Sequence, residues 1–339
     1  MLNPELNPTG GLAERLMMNS KIVNIPGYTI TARERKSKYI HEFTKTPAEI
    51  ICPHFWVLSQ GNLCPFACSY CYLEGTFRWG NAKSEAPVVF VDDPDSEQPT
   101  QRGMKREVEG WLNKPGNLVL NAGELSDALV FDHWTKMSRW LIPLFGEQRN
   151  HKLLLLTKSD NVKGLLELPH NGQTIVSFSI NALEVSKRFE AGAPLPTDRL
   201  SVAKLCQDAG YPVRLRIDPM IPVEGWKEKY TELMRLIGDL EIKPERITVG
   251  SLRYFPTVRT AVKSSDRPGK DVFDYGREWT KVDGRLRVDF NTRIEMYRLV
   301  LGYIKFYLDK IGFGICKETE KAWEEIGEGI PRGVCNCTT

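Results

Sequence analysis

The chain has no run of about 18 apolar residues, so no segment of it is built to cross a bilayer as a helix. Its first residues, MLNPELNPTGGLAERL, lack the basic start and apolar middle of a secretory signal. The expectation is a cytoplasmic protein with no membrane partner. A net charge of +3 is too small to declare a partner of either sign, although a balanced total can hide a local basic face. What remains is a globular composition: 339 residues, 41% hydrophobic and 26% charged, enough for one large core or two ordinary ones. The last shortage is local. GNLCPFACSYCYLEG, residues 61–75, holds Cys64, Cys68 and Cys71 with no fourth cysteine beside them.

Residues 1–50 begin rich in Asn, Pro and Gly, then carry the basic run ARERKSKYI, and read as a leader that docks without a strong pattern of its own. From residue 51 to 320 short apolar runs alternate with stretches of helical period, which is the pattern of repeated βα units. The strand candidates are HFWVLS (54–59), NLVLN (117–121), KLLLLT (152–157), TIVSFSI (174–180), VRLRI (213–217) and RITVGSL (246–252). Helices are expected at MKREVEGWL, HWTKMSRWLIPLF, NVKGLLEL, DRLSVAKLCQDAG, WKEKYTELMRLIGDL and RIEMYRLVLGYIKFYLDKIG. A strand that returns through a helix pairs in parallel with its predecessor. A doubly wound sheet fits six such units, but an incomplete (β/α)6 barrel of the TIM type fits better. Polar groups sit just past several strands, and in a barrel those ends converge on one mouth. They are Asn121, Gly123, Glu124, Ser126 and Asp127, then Lys158, Ser179 and Asn181, then Asp218, Ser251 and Arg253. Singly each is an ordinary cap or turn residue; their shared location is the signal.

The CxxxCxxC thiols follow the first strand candidate directly. A structural zinc site wants four ligands, and His54, the nearest extra donor, lies inside the strand. Inert buried thiols fit poorly with Pro65, Ser69 and Gly75, which mark a loop. Three thiolates on a short loop suit a [4Fe–4S] cluster with one iron left open. The natural occupant of that iron is S-adenosylmethionine, through its amino and carboxylate groups.

CxxxCxxC with an aromatic residue, Tyr70, before its last cysteine resembles the radical S-adenosylmethionine superfamily. More narrowly, CPFACSYCYL, SDALVFDH, LLTKS, FSIN and EGW, in that order, are similar to the spore photoproduct lyase family, whose members repair a methyl-bridged thymine dimer in DNA. The resemblance implies that Cys64, Cys68 and Cys71 hold the cluster and that Lys158 meets the methionine carboxylate. It implies hydrogen bonds to the cofactor from Ser126, Asp127, Ser179 and Asn181, with Asp218 a further candidate. Tyr70 would pack on the adenine, and Tyr72 matches a family tyrosine that relays a hydrogen atom. Core filling is the plain alternative for both tyrosines. A flavodoxin or ferredoxin would supply the electron.

The sequence departs from the family where repair lyases carry a hydrogen-donating cysteine: by the alignment NAGELSDALVFDH that position is Glu124. Gly123 with Glu124 instead resembles a shortened Gly-Gly-Glu motif that binds the methionine amine in other radical enzymes. Either another thiol replaces the donor, or the substrate rearranges or returns its hydrogen to the cofactor. Cys316, in the strand-like FGICKET, and Cys335 and Cys337 in the tail 321–339 are the thiols to consider. The tail is either frayed, or folded back to the mouth, or part of a second metal site. Cys52 and Cys206 read as structural.

Residues 255–290 form an insertion in which Arg and Lys mix with Phe, Tyr and Trp, and WTKVDGRLRV reads as a hairpin turning at Asp283 and Gly284. At a barrel mouth it would pry a base from its stack; a solvated flap is the plain alternative. Three functions follow: a radical lyase or isomerase acting on a thymine-derived base in DNA, a radical enzyme for a small molecule or peptide, or a nucleic-acid-binding protein with a structural metal.

Overall fold

The computed structural model describes residues 20–77, 86–276, 278–308, 311–327 and 330–338. At its centre lies an eight-stranded sheet: β1 (Ile40–Phe43), β2 (Phe55–Leu58), β3 (Val119–Asn121), β4 (Lys152–Thr157), β5 (Thr174–Ser179), β6 (Val213–Met220), β7 (Arg246–Ser251) and β8 (Gly312–Ile315). Spatial order equals chain order. β2 to β8 pair in parallel, and β1 closes one edge antiparallel to β2. The fold is mixed α/β, with all six expected strands in place and β8 as a seventh parallel member beyond the six-unit count.

Side chains alternate along these strands, and the two faces have different neighbours. Leu153, Leu155, Val176, Phe178, Leu215 and Ile217 join the large core beneath the helices. Leu154, Ile175, Val119 and Val57 face the other way and pack against Cys335 and Cys337. The crossovers are α1 (Arg102–Trp111), α2 (Ser138–Gly146), α3 (Pro196–Asp208), α4 (Trp226–Asp239) and α5 (Phe290–Tyr307). Among the described residues no helix is long and apolar enough to cross a membrane.

Four expectations change. The leader is not patternless: Ser20–Ile25 and Tyr28–Arg33 form a hairpin, and the second strand pairs with Val88–Phe90. Its turn is Pro26–Gly27, with Gly27 at φ 84°, a backbone state that favours glycine. Residues 1–19 of that leader lie outside the described residues. NVKGLLEL is a chain of turns, because Gly164 and the following Pro169 leave too little chain for a helical nucleus. HWTKMSRWLIPLF is broken at Lys136, which takes φ 52°, and Asp132 accepts from Ser138 N and Oγ at 2.8 and 2.6 Å to start α2 afresh.

The tail is not frayed but runs along the sheet face opposite the helices. Ser177 Oγ donates to Asn336 Oδ1 at 2.8 Å, Arg214 Nη1 to Asn336 O at 2.8 Å, and Arg246 Nη1 to Cys335 O at 2.6 Å. Gly314 permits this, since a Cβ there would stand 2.6 Å from Val334 O. The insertion contains a helix, Pro256–Lys263, and the expected hairpin, Trp279–Val282 with Arg285–Val288, turning at Asp283 (φ 53°) and Gly284 (φ 79°).

Candidate active site

A cavity of about 370 Å³ opens at the carboxyl ends of the parallel strands, and residues from β3, β4, β5 and β6 or just past them reach it. Cys64, Cys68 and Cys71 line it, together with Tyr70, Tyr72, Gly123, Glu124, Ser126, Asp127, Lys158, Ser179 and Asp218. So the sequence-predicted set converges, with two exceptions described below.

The cysteine loop is held from several sides. Ala67–Cys68 pairs antiparallel with Glu190–Ala191, and Ser69 N donates to Phe189 O at 2.9 Å. Arg267, from the insertion, donates to Cys68 O at 3.2 Å and pairs with the buried Glu74 at 2.5 Å. Burial pushes the Cys68 thiol up to about 12 against the opposing pull of Lys158.

Gly123 is required by space: a Cβ would lie 2.3 Å from Leu156 O, so the turn bearing Glu124 can press against β4 only without a side chain there. Glu124 pairs with Lys317 at 3.7 Å, and its carbonyl accepts from the Tyr72 hydroxyl. Asp127 lines the wall, but its carboxylate is spent on the protein. Its Oδ1 accepts from Leu129 N, Val130 N and Thr157 Oγ1, and its Oδ2 from Lys158 N at 2.7 Å. It therefore locks the β3 loop to the end of β4.

Lys158 Nζ donates to Ser179 Oγ at 3.0 Å, lies 3.9 Å from Glu190 and stands 5.6 Å over the Tyr70 ring. Glu190 escaped the sequence reading, as RFEAG carries no motif of its own. It also takes the Tyr70 hydroxyl, Ser186 Oγ at 2.8 Å and Arg199 Nη2 at 2.6 Å. Burial alone would push its carboxyl up; Arg199, Lys158 and Tyr70 pull it down to about 2, so it stays charged behind the lysine. Arg216 was also missed, although period two in VRLRI puts both arginines on one face.

Asn181 and Cys316 do not reach the cavity wall. Asn181 is fully buried, donating to Pro219 O at 2.9 Å and accepting from Ala182 N and Tyr230 Oη at 3.0 and 2.9 Å. It shapes the β5–β6 junction. Cys316 Sγ lies behind two guanidiniums, accepting from Arg216 Nη2 and Arg253 Nη2 at 3.3 Å each. Burial and Asp218 push its thiol up to about 12, so it is a neutral sulfur at neutral pH. Neither Cys335 nor Cys337 reaches the wall.

The spore photoproduct lyase family model matches residues 39–248, which is most of the sheet and the whole cysteine loop. The chain belongs to the spore photoproduct lyase family. It is 26% identical over 277 residues to the spore photoproduct lyase of Geobacillus sp., covering 78% of this chain and 74% of that protein. With the Bacillus subtilis enzyme it shares 32% over 222 residues, 65% of this chain and 59% of the relative. A solved spore photoproduct lyase complexed with dinucleoside spore photoproduct superposes with a TM-score of 0.68 at 20% identity, over 84% of this chain and 80% of that one. A mutant of the enzyme with bound AdoMet and the same dinucleoside gives 0.63 at 21%, over 76% and 74%. These two likenesses establish the shared fold.

Enzymes of the spore photoproduct lyase family are radical S-adenosylmethionine enzymes with a [4Fe–4S] cluster. The residues here fit both groups. A four-iron cluster takes each cysteine on a different iron, and the three cysteines of one loop that line this cavity offer three such ligands. Lys158 and the Gly123–Glu124 turn, in the same cavity lining, offer a cation and an anion to a zwitterionic methionine group.

Proposed function

We propose that this lyase-family enzyme acts on a thymine-derived base in DNA by radical rearrangement, or by returning hydrogen to the cofactor, rather than by a thiol-quenched repair. One observation carries this reading: Cys64, Cys68 and Cys71 line the cavity, and among the described residues no other thiol does. The position that holds a hydrogen-donating cysteine in repair lyases is Glu124, engaged with Lys317.

When bound, the cluster and S-adenosylmethionine supply reductive cleavage to a 5′-deoxyadenosyl radical that abstracts hydrogen. The chain's own residues bind and orient. Cys64, Cys68 and Cys71 are the cluster ligands. Lys158, kept charged by Glu190 behind it, takes the methionine carboxylate, and Glu124 takes the amine. Ser126 and Ser179 line the wall between them. Tyr72, fixed through its hydroxyl to the Glu124 carbonyl in the cavity lining, would be the hydrogen-relay candidate. The apolar walls exclude water, which protects a carbon radical from side reactions. Helices on one sheet face and the tail on the other support an incomplete barrel whose mouth is this cavity. A flavodoxin or ferredoxin is the proposed electron donor.

The test is anaerobic incubation with oligonucleotides carrying deuterium on the thymine methyl group. Label entering 5′-deoxyadenosine or recovered S-adenosylmethionine supports the reading. Cofactor cleavage without label transfer from any thymine or 5-substituted thymine overturns the choice of base.

A further inference from the structure

Part of the cavity lining is cationic, and its charges do not balance. Arg216 and Arg253 share the single carboxylate of Asp218, at 2.8 and 2.9 Å. The sulfur that both guanidiniums also touch, Cys316, is neutral and a weak acceptor. One layer out, Arg285 and Arg287 share Asp283, while Arg287 and Arg293 share Glu318. Lys317 pairs with Glu124. Among the described residues six cations of this network are thus set against four carboxylates, and every side chain in it is at most 20% exposed.

Unmatched charge in so shielded a place is costly unless a partner arrives. Four of the six cations, Arg216, Arg253, Arg285 and Lys317, line the cavity, while Arg287 and Arg293 are buried behind them. Arg285 arrives on the hairpin, its guanidinium 4.4 Å over the ring of Phe255, itself 39% exposed and in the wall. Burial pushes the Arg285 guanidinium down; Asp283 opposes this, and Arg253 and Arg287 add to it. A planar fork laid on an aromatic ring is well shaped for a two-oxygen anion.

We propose that Arg216, Arg253 and Arg285, with Lys317 beside them, form an oxyanion subsite that takes a carboxylate or phosphate group of the substrate. This rests on the cysteine side of the same cavity being the cofactor side, as argued above. It makes the substrate an anionic thymine derivative, charged either on a 5-substituent or on the adjoining backbone.

Binding to the cluster-loaded protein tests it, without turnover. Inorganic phosphate and acetate, at ionic strength matched with chloride, raise the melting temperature of the wild type and do so less in Arg285→Gln, with recovery in Arg285→Lys. Thymidine, thymidine 5′-monophosphate and 5-carboxy-2′-deoxyuridine are then compared by calorimetry. An advantage of about tenfold or more over thymidine for the monophosphate assigns the site to backbone phosphate, and the same advantage for the carboxylate assigns it to the 5-substituent. No anion effect on melting, or an effect equal in wild type and Arg285→Gln, overturns the subsite. Formation of 5′-deoxyadenosine by the same wild-type sample is read separately. Its absence beside intact anion binding defeats the radical reading alone, and its presence without anion binding defeats the subsite alone.

Discussion

Cys337 Sγ accepts a hydrogen bond from Asn121 Nδ2 at 3.7 Å, across 216 positions of sequence. The Oδ1 of the same Asn121 accepts from Gly123 N at 3.0 Å. One amide side chain therefore joins the tail to the turn that carries Glu124. Removing residues 334–339 should uncover Leu154 and Ile175 and leave Arg214 Nη1 and Ser177 Oγ without their tail acceptors. The expected cost is at least about 3 kcal/mol, read by urea unfolding. Cys337→Ala, which keeps the backbone contacts, should cost about 1 kcal/mol. Equal stability of full-length and truncated chains would show the tail to be incidental.

Cys68→Ala should abolish cluster assembly. Iron and sulfide per chain after anaerobic reconstitution, and 5′-deoxyadenosine formed with dithionite, are both expected at background. Full iron content in the variant would remove Cys68 from the ligand set.

Glu124→Gln should weaken S-adenosylmethionine binding by roughly tenfold, the worth of one charge-assisted contact, with cluster content unchanged. Equilibrium dialysis distinguishes this from a loss of fold. Unchanged affinity would leave Glu124 with Lys317 as its only partner in function.

Asp218 sets an acid limit. Burial opposes its charge, but Arg253 and Arg216 hold its carboxyl well below the ordinary carboxylate range. A depressed folded value contributes stability that is complete above the unfolded value near about 3.9 and is lost as pH falls toward the folded one. Asp218→Asn should cost about 3 kcal/mol at pH 7 by stranding two guanidiniums. It should also flatten the decline of stability below about pH 4, seen in urea midpoints between pH 3 and 7. A parallel decline in wild type and variant would assign the acid limit to other groups.

Much of this architecture was readable in advance because it is local. Apolar runs such as KLLLLT and TIVSFSI satisfy strand geometry on both faces, and the DG of WTKVDGRLRV demands φ > 0 at two adjacent positions, which Asp283 and Gly284 adopt. The cysteine spacing placed Cys64, Cys68 and Cys71 on one loop, and strand-end polarity placed Lys158, Ser179 and Asp218 around the cavity. The same strand-end logic cannot say which side of the last residue faces the void, and neither Asn181 nor Cys316 lines the cavity. Asn181 points to Tyr230, and Cys316 falls one layer behind Arg216 and Arg253.

The sequence by itself determined the order of strands and helices, the triple-thiol loop and the Gly123–Glu124 turn, since each depends on neighbours within a few residues. Only the tertiary structure decided that Glu190 stands behind Lys158, that Arg267 grips the cysteine loop, that the tail packs on the sheet and that two arginines share the Asp218 carboxylate in the cavity lining. Those contacts join residues up to about two hundred positions apart. Burial and charge act on what surrounds a group in space, and no local pattern carries that information.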